Sequence, residues 1–354
     1  MAAPAGTCSP AWPSPRSCAR ATPRPRSSSS APSAASKRGC CRSWAGRWRP
    51  SRCRASRPSA RSVRCAACSG CRALWQARRL VKAFAPDAVI GVGGYASGPV
   101  VLMARLRGVP TAICEQNSIP GLTNKWLGRV VRRVFVSLPG SARFFAARKV
   151  VHSGNPLRRD LARRLTTSAE APAAERALHV LVCGGSLGAV AVNALAAEAL
   201  IALAGERPLT ITHQTGERGL ADTRARYHAA GVTADVRAFI DDMGAAYAAA
   251  DVVVARAGAT TVAELALAGR PTIFIPYPHA ADDHQTHNAR GLVEAGAALS
   301  LPQATLTGPA LADALRPLLA EPARRAAMAG AMHAQARPDA AATVIDWFEA
   351  QPRR

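Results

Sequence analysis

The sequence predicts an α/β protein of two doubly wound domains, each a parallel sheet between helices, facing a cleft. Short β-branched runs and glycine-rich turns alternate with helical segments of apolar periodicity from about Ala73 onward, the pattern of parallel strands covered on both faces. The alternation occurs twice, with a break at TTSAEAPAAE, residues 166–175. A chain of 354 residues is long enough for two domains of ordinary size.

In the first series, residues 73–84 have helical periodicity, with Leu74, Ala77, Leu80 and Val81 on one face. Residues 87–91 (DAVIG) form a short strand, and GVGGYASGP is a glycine-rich turn into a helix over residues 100–107. Residues 111–115 (TAICE) are a strand with Gln116 and Asn117 at its carboxyl end. Residues 131–136 are another, and Gly154-Asn-Pro-Leu-Arg158 closes this half.

The second series opens with a strand over residues 178–183 (LHVLVC), then GGSLGA and a helix to about Leu203. Glycines let the backbone approach a phosphate, and a helix start supplies N–H groups and a favourable dipole. Residues 209–213 and 235–239 are strands, with Ile240-Asp241-Asp242-Met243 just past the second. Residues 251–255 (DVVVA) lead into the most informative stretch, RAGATTVAELALAGRPTIFIPYPHAADDHQTHNA, residues 256–289. A helix that begins near Ala259, Thr260 and Thr261 aims unpaired N–H groups at an anion. Glu264, one turn later, can accept two hydroxyls, as from a ribose. A strand over residues 272–276 is followed by Asp282, Asp283, His284 and Gln285, at the end of the sheet where open α/β folds bind ligands. An ordinary α/β unit with a capped helix and a solvated Glu264 would use the same residues. His279, His284 and His287 fit no zinc spacing, so no metal is expected. Cys114 and Cys183 read as small buried hydrophobes.

The head of the chain differs. Residues 1–72 hold 15 of the 46 Lys and Arg, 8 of the 10 Cys and no acid, in a chain of net charge +24. A basic nucleic-acid arm, a cysteine metal site at Cys65, Cys68 and Cys71, and a transit peptide compete here. No 18-residue apolar span or signal-peptide core is present. A fourth reading is translation out of frame. Permitted codons for residues 1–20, read two bases on, spell GGTGGHVFPGLAVAEELR, a glycine-rich turn into an amphipathic helix. Residues 1–72 are therefore expected to be an aberrant, disordered segment, with no nucleic-acid role.

The motifs GVGGYASGP, EQNSIPGLTN, GNPLR, CGGSLGA, FIDDM, ARAGATTVAE and PYPHAADDHQTHNA stand in this order, and they resemble the signatures of the MurG family from about Ala73 to the C-terminus. The resemblance implies a GT-B fold with an acceptor and membrane domain over residues 73–165, a linker over 166–176, a UDP-GlcNAc-binding domain over 177–330, and a C-terminal helix and tail over 331–354. It implies transfer of N-acetylglucosamine (GlcNAc) from UDP-GlcNAc to undecaprenyl-pyrophosphoryl-MurNAc-pentapeptide (lipid I), giving lipid II for peptidoglycan and hence for cell shape and division.

By the same resemblance, Ile240 holds the uracil through its backbone and Ser186 contacts the diphosphate. Ala259, Thr260, Thr261, Val262 and Ala263 line the phosphate seat, and Glu264 takes the ribose hydroxyls. Gln285 binds the sugar, while Asn117 and Arg158 face the donor across the cleft. Gly93, Gly94 and Tyr95 form the acceptor pyrophosphate site. The implied reaction is a single inverting displacement, with helix ends and Arg158 stabilising the leaving diphosphate and no cofactor. The family's candidate base, the His of GGTGGH, has no counterpart in the chain as written. A catalytically dead UDP-sugar binder and a related transferase with another nucleotide-sugar are the alternatives. The lipid acceptor implies peripheral attachment to the cytoplasmic face of the plasma membrane. Lys125, Trp126, Leu127, Arg129, Val130, Val131, Arg132 and Arg133 are the candidate contact, or else a helix packed in its own domain.

Overall fold

A computed structural model describes residues 60–167, 176–185 and 188–352. The expectations for residues 1–59, the out-of-frame reading among them, lie outside the described residues.

The first unit runs α1 (Ala60–Phe84), β1 (Val89–Gly91), α2 (Ser97–Leu106), β2 (Thr111–Glu115), α3 (Leu122–Val130), β3 (Arg133–Val136) and β4 (Val150–His152). Its strands lie in the order β1-β2-β3-β4, all parallel. Alternation along the strands decides which helix covers which face. Ile113, Val134 and Val136 pack with Val101 of α2 and Leu127 of α3. Ala112, Cys114 and Phe135 point the other way.

Two expectations are corrected here. The first helix begins at Ala60, so residues 60–72 continue it backward rather than lacking order. Its buried face is Ala77 and Val81, while Leu80 is exposed. The strand β4 was not predicted, because three residues carry too little periodicity.

The second unit runs α4 (Arg159–Thr167), β5 (Leu178–Cys183), α5 (Val190–Glu206), β6 (Leu209–Gln214), α6 (Leu220–Ala229), β7 (Asp235–Arg237), α7 (Met243–Ala249), β8 (Val252–Ala255), α8 (Ala259–Ala268), β9 (Thr272–Phe274), α9 (His284–Glu294), β10 (Ala298–Ser300), α10 (Gly308–Ala320), α11 (Pro322–Ala334) and α12 (Ala340–Glu349). Its six parallel strands lie in the order β10-β9-β8-β5-β6-β7. Leu181, Cys183, Val253, Ala255 and Phe274 face α7, α8 and α9. Val180, Val182, Val252, Val254 and Ile273 face α5 and α10. The order reverses beside β5, so the loops after β5 and β8 diverge there and open a crevice.

The domain boundaries differ from those expected. The helix α4 covers the first residues of the expected linker, and Leu161 and Leu165, one turn apart, join the core of the second unit beside Tyr247 and Leu265. Burying each leucine stabilises that docking by about 1.5–3 kcal/mol. Residue 330 falls within α11, and α12 crosses back to the first unit. There Val344, Trp347 and Phe348 cover the open face of the four-stranded sheet, with the Trp347 ring edge-on to Phe135 at 5.9 Å.

The α12 contact keeps Cys114 buried and its thiol pKa pushed up to about 12 by that burial. Replacing Val344, 1% exposed, with Asp puts a charge against this face and should cost about 3 kcal/mol or more. The expected result is a lower melting temperature and at least ~10-fold faster thiol labelling mapped to Cys114. Unchanged labelling would show that α12 is not what shields the sheet.

Candidate active site

The two sheets turn their carboxyl ends toward one cleft, and the loops there carry the polar groups. In the second unit, β8 ends at Ala255 and α8 begins at Ala259 behind Gly258, whose extended backbone places no side chain on the helix end. Val262 N–H donates to the Gly258 carbonyl at 2.9 Å. The N–H groups of Ala259, Thr260 and Thr261 precede that first helical bond and have no cap. They form a seat for an anion. Val262 adds no free donor, and its side chain is buried in the core. Ala263 is half-buried and lines a cavity between the units instead.

Glu264 lies one turn into α8. Its Oε2 accepts the Tyr247 hydroxyl at 3.0 Å. Burial pushes its pKa up to about 7, against the opposing pulls of Tyr247 and of the nearby Arg158 charge. Arg158 stands at the start of α4 in the second unit, where its carbonyl accepts the Ala162 N–H at 2.9 Å, and its side chain is exposed. Tyr247 itself is held well above its usual range, first by burial and then by the Glu264 charge.

Ile240 is buried, and its backbone N–H donates to Gln214 Oε1 at 3.3 Å. The Gln214 amide donates in turn to the Gly185 carbonyl at 3.3 Å. The group expected to hold a base is therefore occupied by a side chain that also braces the glycine loop after β5. Gly188 in that loop has φ +73°, and a Cβ there would collide with the Thr215 carbonyl, which explains the glycine. Ser186 lies outside the described residues.

Gln285 sits in the first turn of α9, where its Oε1 accepts the Tyr277 N–H at 3.0 Å, leaving its amide donors free for a ligand. Asp282 and Asp283, just before it, have φ of +52° and +49°. Asn117 Oδ1 accepts from Asn288 of α9 at 3.1 Å, and its backbone N–H donates to Glu115 Oε1 at 2.9 Å.

Gly93 and Gly94, with φ of +92° and +76°, turn the chain after β1, and Tyr95 is fully exposed beside them. Asn124 lies beneath Gly93 and donates to Glu115 Oε2 at 2.8 Å. Burial raises the Glu115 pKa, and the hydrogen bonds it accepts oppose that shift. The Gly93 turn thus lies over Asn124, which is linked through Glu115 to Asn117. Gln214, Tyr247, Asn124 and Asn288 were not singled out from the sequence, since their roles come from partners distant in the chain.

A cavity of 490 Å³ lies between the units, lined by Ser118, Leu138, His152, Ala259, Ala263 and Arg337 among others. Glu264, Thr260 and Gln285 lie outside it, so the polar constellation occupies the open side of the cleft. On the exposed side of α3, Leu122 and Trp126 are 78% and 70% exposed. Arg129 lies over the Trp126 ring, while Lys125 and Arg143 lie over Phe144. The expected surface segment is corrected in part: Leu127 and Val131 face the core, and Arg133 is committed to the Arg148 carbonyl at 2.8 Å. No helix among the described residues is long and apolar enough to cross a membrane.

Comparison with known proteins agrees with this architecture. Residues 179–344 match the glycosyltransferase family 28 C-terminal domain, and residues 64–136 match the family 28 N-terminal domain. A UDP-N-acetylglucosamine–N-acetylmuramyl-(pentapeptide) pyrophosphoryl-undecaprenol N-acetylglucosamine transferase of Geobacter metallireducens is 46% identical over 79% of this chain and 77% of its own length. One of the same description from Anaeromyxobacter sp. (strain K) is 51% identical over 78% of this chain and 71% of its own. The crystal structure of Acinetobacter baumannii MurG superposes with a TM-score of 0.69 at 38% identity, covering 78% of this chain and 79% of that one. With its two parallel-sheet domains of the GT-B type, the chain belongs to the MurG family of family 28 glycosyltransferases.

Proposed function

We propose that this chain transfers N-acetylglucosamine from UDP-GlcNAc to lipid I, forming lipid II, with the donor held by the second unit. The observation that carries this reading is the uncapped start of α8 beside the half-buried Glu264. It offers an anion seat and a hydroxyl acceptor one helical turn apart, the spacing of a diphosphate and its ribose. The uracil lies against the Ile240 backbone, which requires the Gln214 side chain to yield its bond. Ser186 and the N–H groups of Ala259, Thr260 and Thr261 meet the diphosphate. The Gln285 amide meets hydroxyls of the sugar, Asn117 closes on it from the first unit, and Arg158 approaches from the start of α4. Gly93, Gly94 and Tyr95 receive the acceptor pyrophosphate.

In the reaction, the C4 hydroxyl oxygen of the acceptor sugar attacks the anomeric carbon of GlcNAc. The bond from that carbon to the β-phosphate oxygen breaks, its electron pair leaves with UDP, and the hydroxyl proton passes to a base. Helix N–H groups and Arg158 stabilise the charge that grows on the diphosphate. The test is release of UDP and formation of a disaccharide product from UDP-GlcNAc and lipid I or a soluble analogue. Donor binding without product would identify a UDP-sugar binder instead.

Glu264 makes donor affinity depend on pH. Ribose hydroxyls donate to the ionised carboxylate, so binding draws its pKa below about 7 and releases a proton on the acid side. UDP affinity should be full above neutrality and fall as pH drops through 7, by up to about tenfold per unit. Glu264→Gln should flatten this dependence and weaken binding by about tenfold, as read by calorimetry across the range. An unchanged slope in Glu264→Gln would remove this residue from the donor site.

A lipid-linked acceptor supports a peripheral position at the cytoplasmic face of the membrane. Leu122 and Trp126 offer apolar surface among Lys125, Arg129 and Arg143, suited to anionic headgroups. Trp126→Glu with Arg129→Glu should lower partitioning onto phosphatidylglycerol vesicles by at least ~10-fold. Unaltered partitioning of this double variant would rule the patch out as the contact.

A further inference from the structure

The structure assigns to Asn288 a role as a positioning residue that clasps the acceptor unit to the start of the donor helix α8. This inference rests on the donor site proposed above. Asn288 is 1% exposed and lies one turn after Gln285 on α9, in the second unit. Its Oδ1 accepts the backbone N–H of Ser118 at 2.8 Å. Its amide donates to Asn117 Oδ1 and to the Ala257 carbonyl, both at 3.1 Å. Ser118 and Asn117 follow β2 in the first unit, while Ala257 belongs to the turn that starts α8. One side chain therefore spends its acceptor on one unit and shares its donors between both.

Only a side chain that donates and accepts at this length satisfies all three partners. Aspartate would keep the Ser118 bond and face two oxygens without a proton. Alanine would leave all three buried groups unpaired. A second contact across the cleft, Lys125 Nζ to Asp282 Oδ2 at 3.8 Å, is half-exposed and is weak for that reason.

The clasp matters because the reacting atoms belong to substrates held by different units. A transfer requires them to approach within about 3–3.5 Å, and a misplacement of ~1 Å costs about 10²-fold in rate. Through Asn117 and Glu115 the bonded chain continues to Asn124, which lies beneath the Gly93 turn. Asn288 is where that chain crosses the cleft.

The test is hydrogen–deuterium exchange of the full-length protein, with and without UDP, followed at the peptide spanning residues 116–121. Calorimetry of UDP binding is run beside it. In Asn288→Ala this peptide should exchange at least ~10-fold faster than in the parent, in both states, while UDP affinity stays within about threefold. Asn288→Asp, which keeps the shape and the Ser118 acceptor, should fall between the two. In the transfer assay, Asn288→Ala should lower kcat by about 30-fold or more with little change in donor KM. Unchanged exchange in Asn288→Ala would overturn the clasp. A fall of UDP affinity by tenfold or more would make Asn288 a donor contact instead. Failure of the parent itself to bind UDP would count against the donor site, and the ligand-free exchange would still judge the clasp.

Discussion

A helix that starts without a cap leaves amides with no partner, and the cleft is arranged around the three at the start of α8. Those amides are useful only if the turn before them cannot move. Arg256, which precedes the turn, is almost fully buried and donates to the Ile275 and Pro276 carbonyls, both at 2.8 Å. Its guanidinium also lies over the Tyr277 ring. Burial lowers its pKa to about 10, still well above neutrality, so the cation persists. The Ala257 carbonyl, next in the chain, also accepts from Asn288, but without that bond the turn is still held by Arg256. The strand, the turn and the loop after β9 are thus locked as one piece, and the left-handed Asp282 and Asp283 are carried on it. Each of those residues costs on the order of 1 kcal/mol in its backbone conformation, which the surrounding bonds offset.

The same unit shows how burial sorts titratable groups into fixed and poised ones. His213, fully buried between Tyr227 and Asn193, has its pKa pushed down to about 3 by desolvation. It stays neutral and serves as a strut: its partner Asn193 also donates to the Thr215 carbonyl, beside the loop that carries Gly188. Cys183 is likewise driven up to about 12 and is inert. Glu264 is half-buried and has a hydroxyl donor and a cation within reach. Its shift stops near neutrality, so it can ionise when a ligand supplies further donors. Environment, rather than residue type, separates the strut from the binding group.

Most of the fold was legible because the central parallel strands are buried on both faces, and continuous runs such as LHVLVC and DVVVA survive as a signal. The start of α8 was legible for a local reason as well: small residues and hydroxyls stand directly before an apolar run. What was not legible depends on distance in the chain. Val344 and Trp347 read as an ordinary terminal helix, yet they cover a sheet formed some 200 residues earlier. Gln214 ends a strand with nothing to mark it until Gly185 and Ile240 are brought to either side. Asn288 meets Ser118 across 170 residues.

These unread groups have a common physical character. Gln214 and Asn288 carry neutral amides, Asn124 does too, and each bridges two segments that no single element positions. An amide can donate and accept at once without bringing charge into a buried place. At a cleft between two separately folded sheets, that is what a fixed yet separable contact requires. An ion pair in the same position would face a large desolvation cost on closing, and an apolar contact would set no direction. The anion seat is therefore local to α8 and readable from its sequence. Its alignment with the opposite unit is spread over amides whose meaning exists only once the chain has folded.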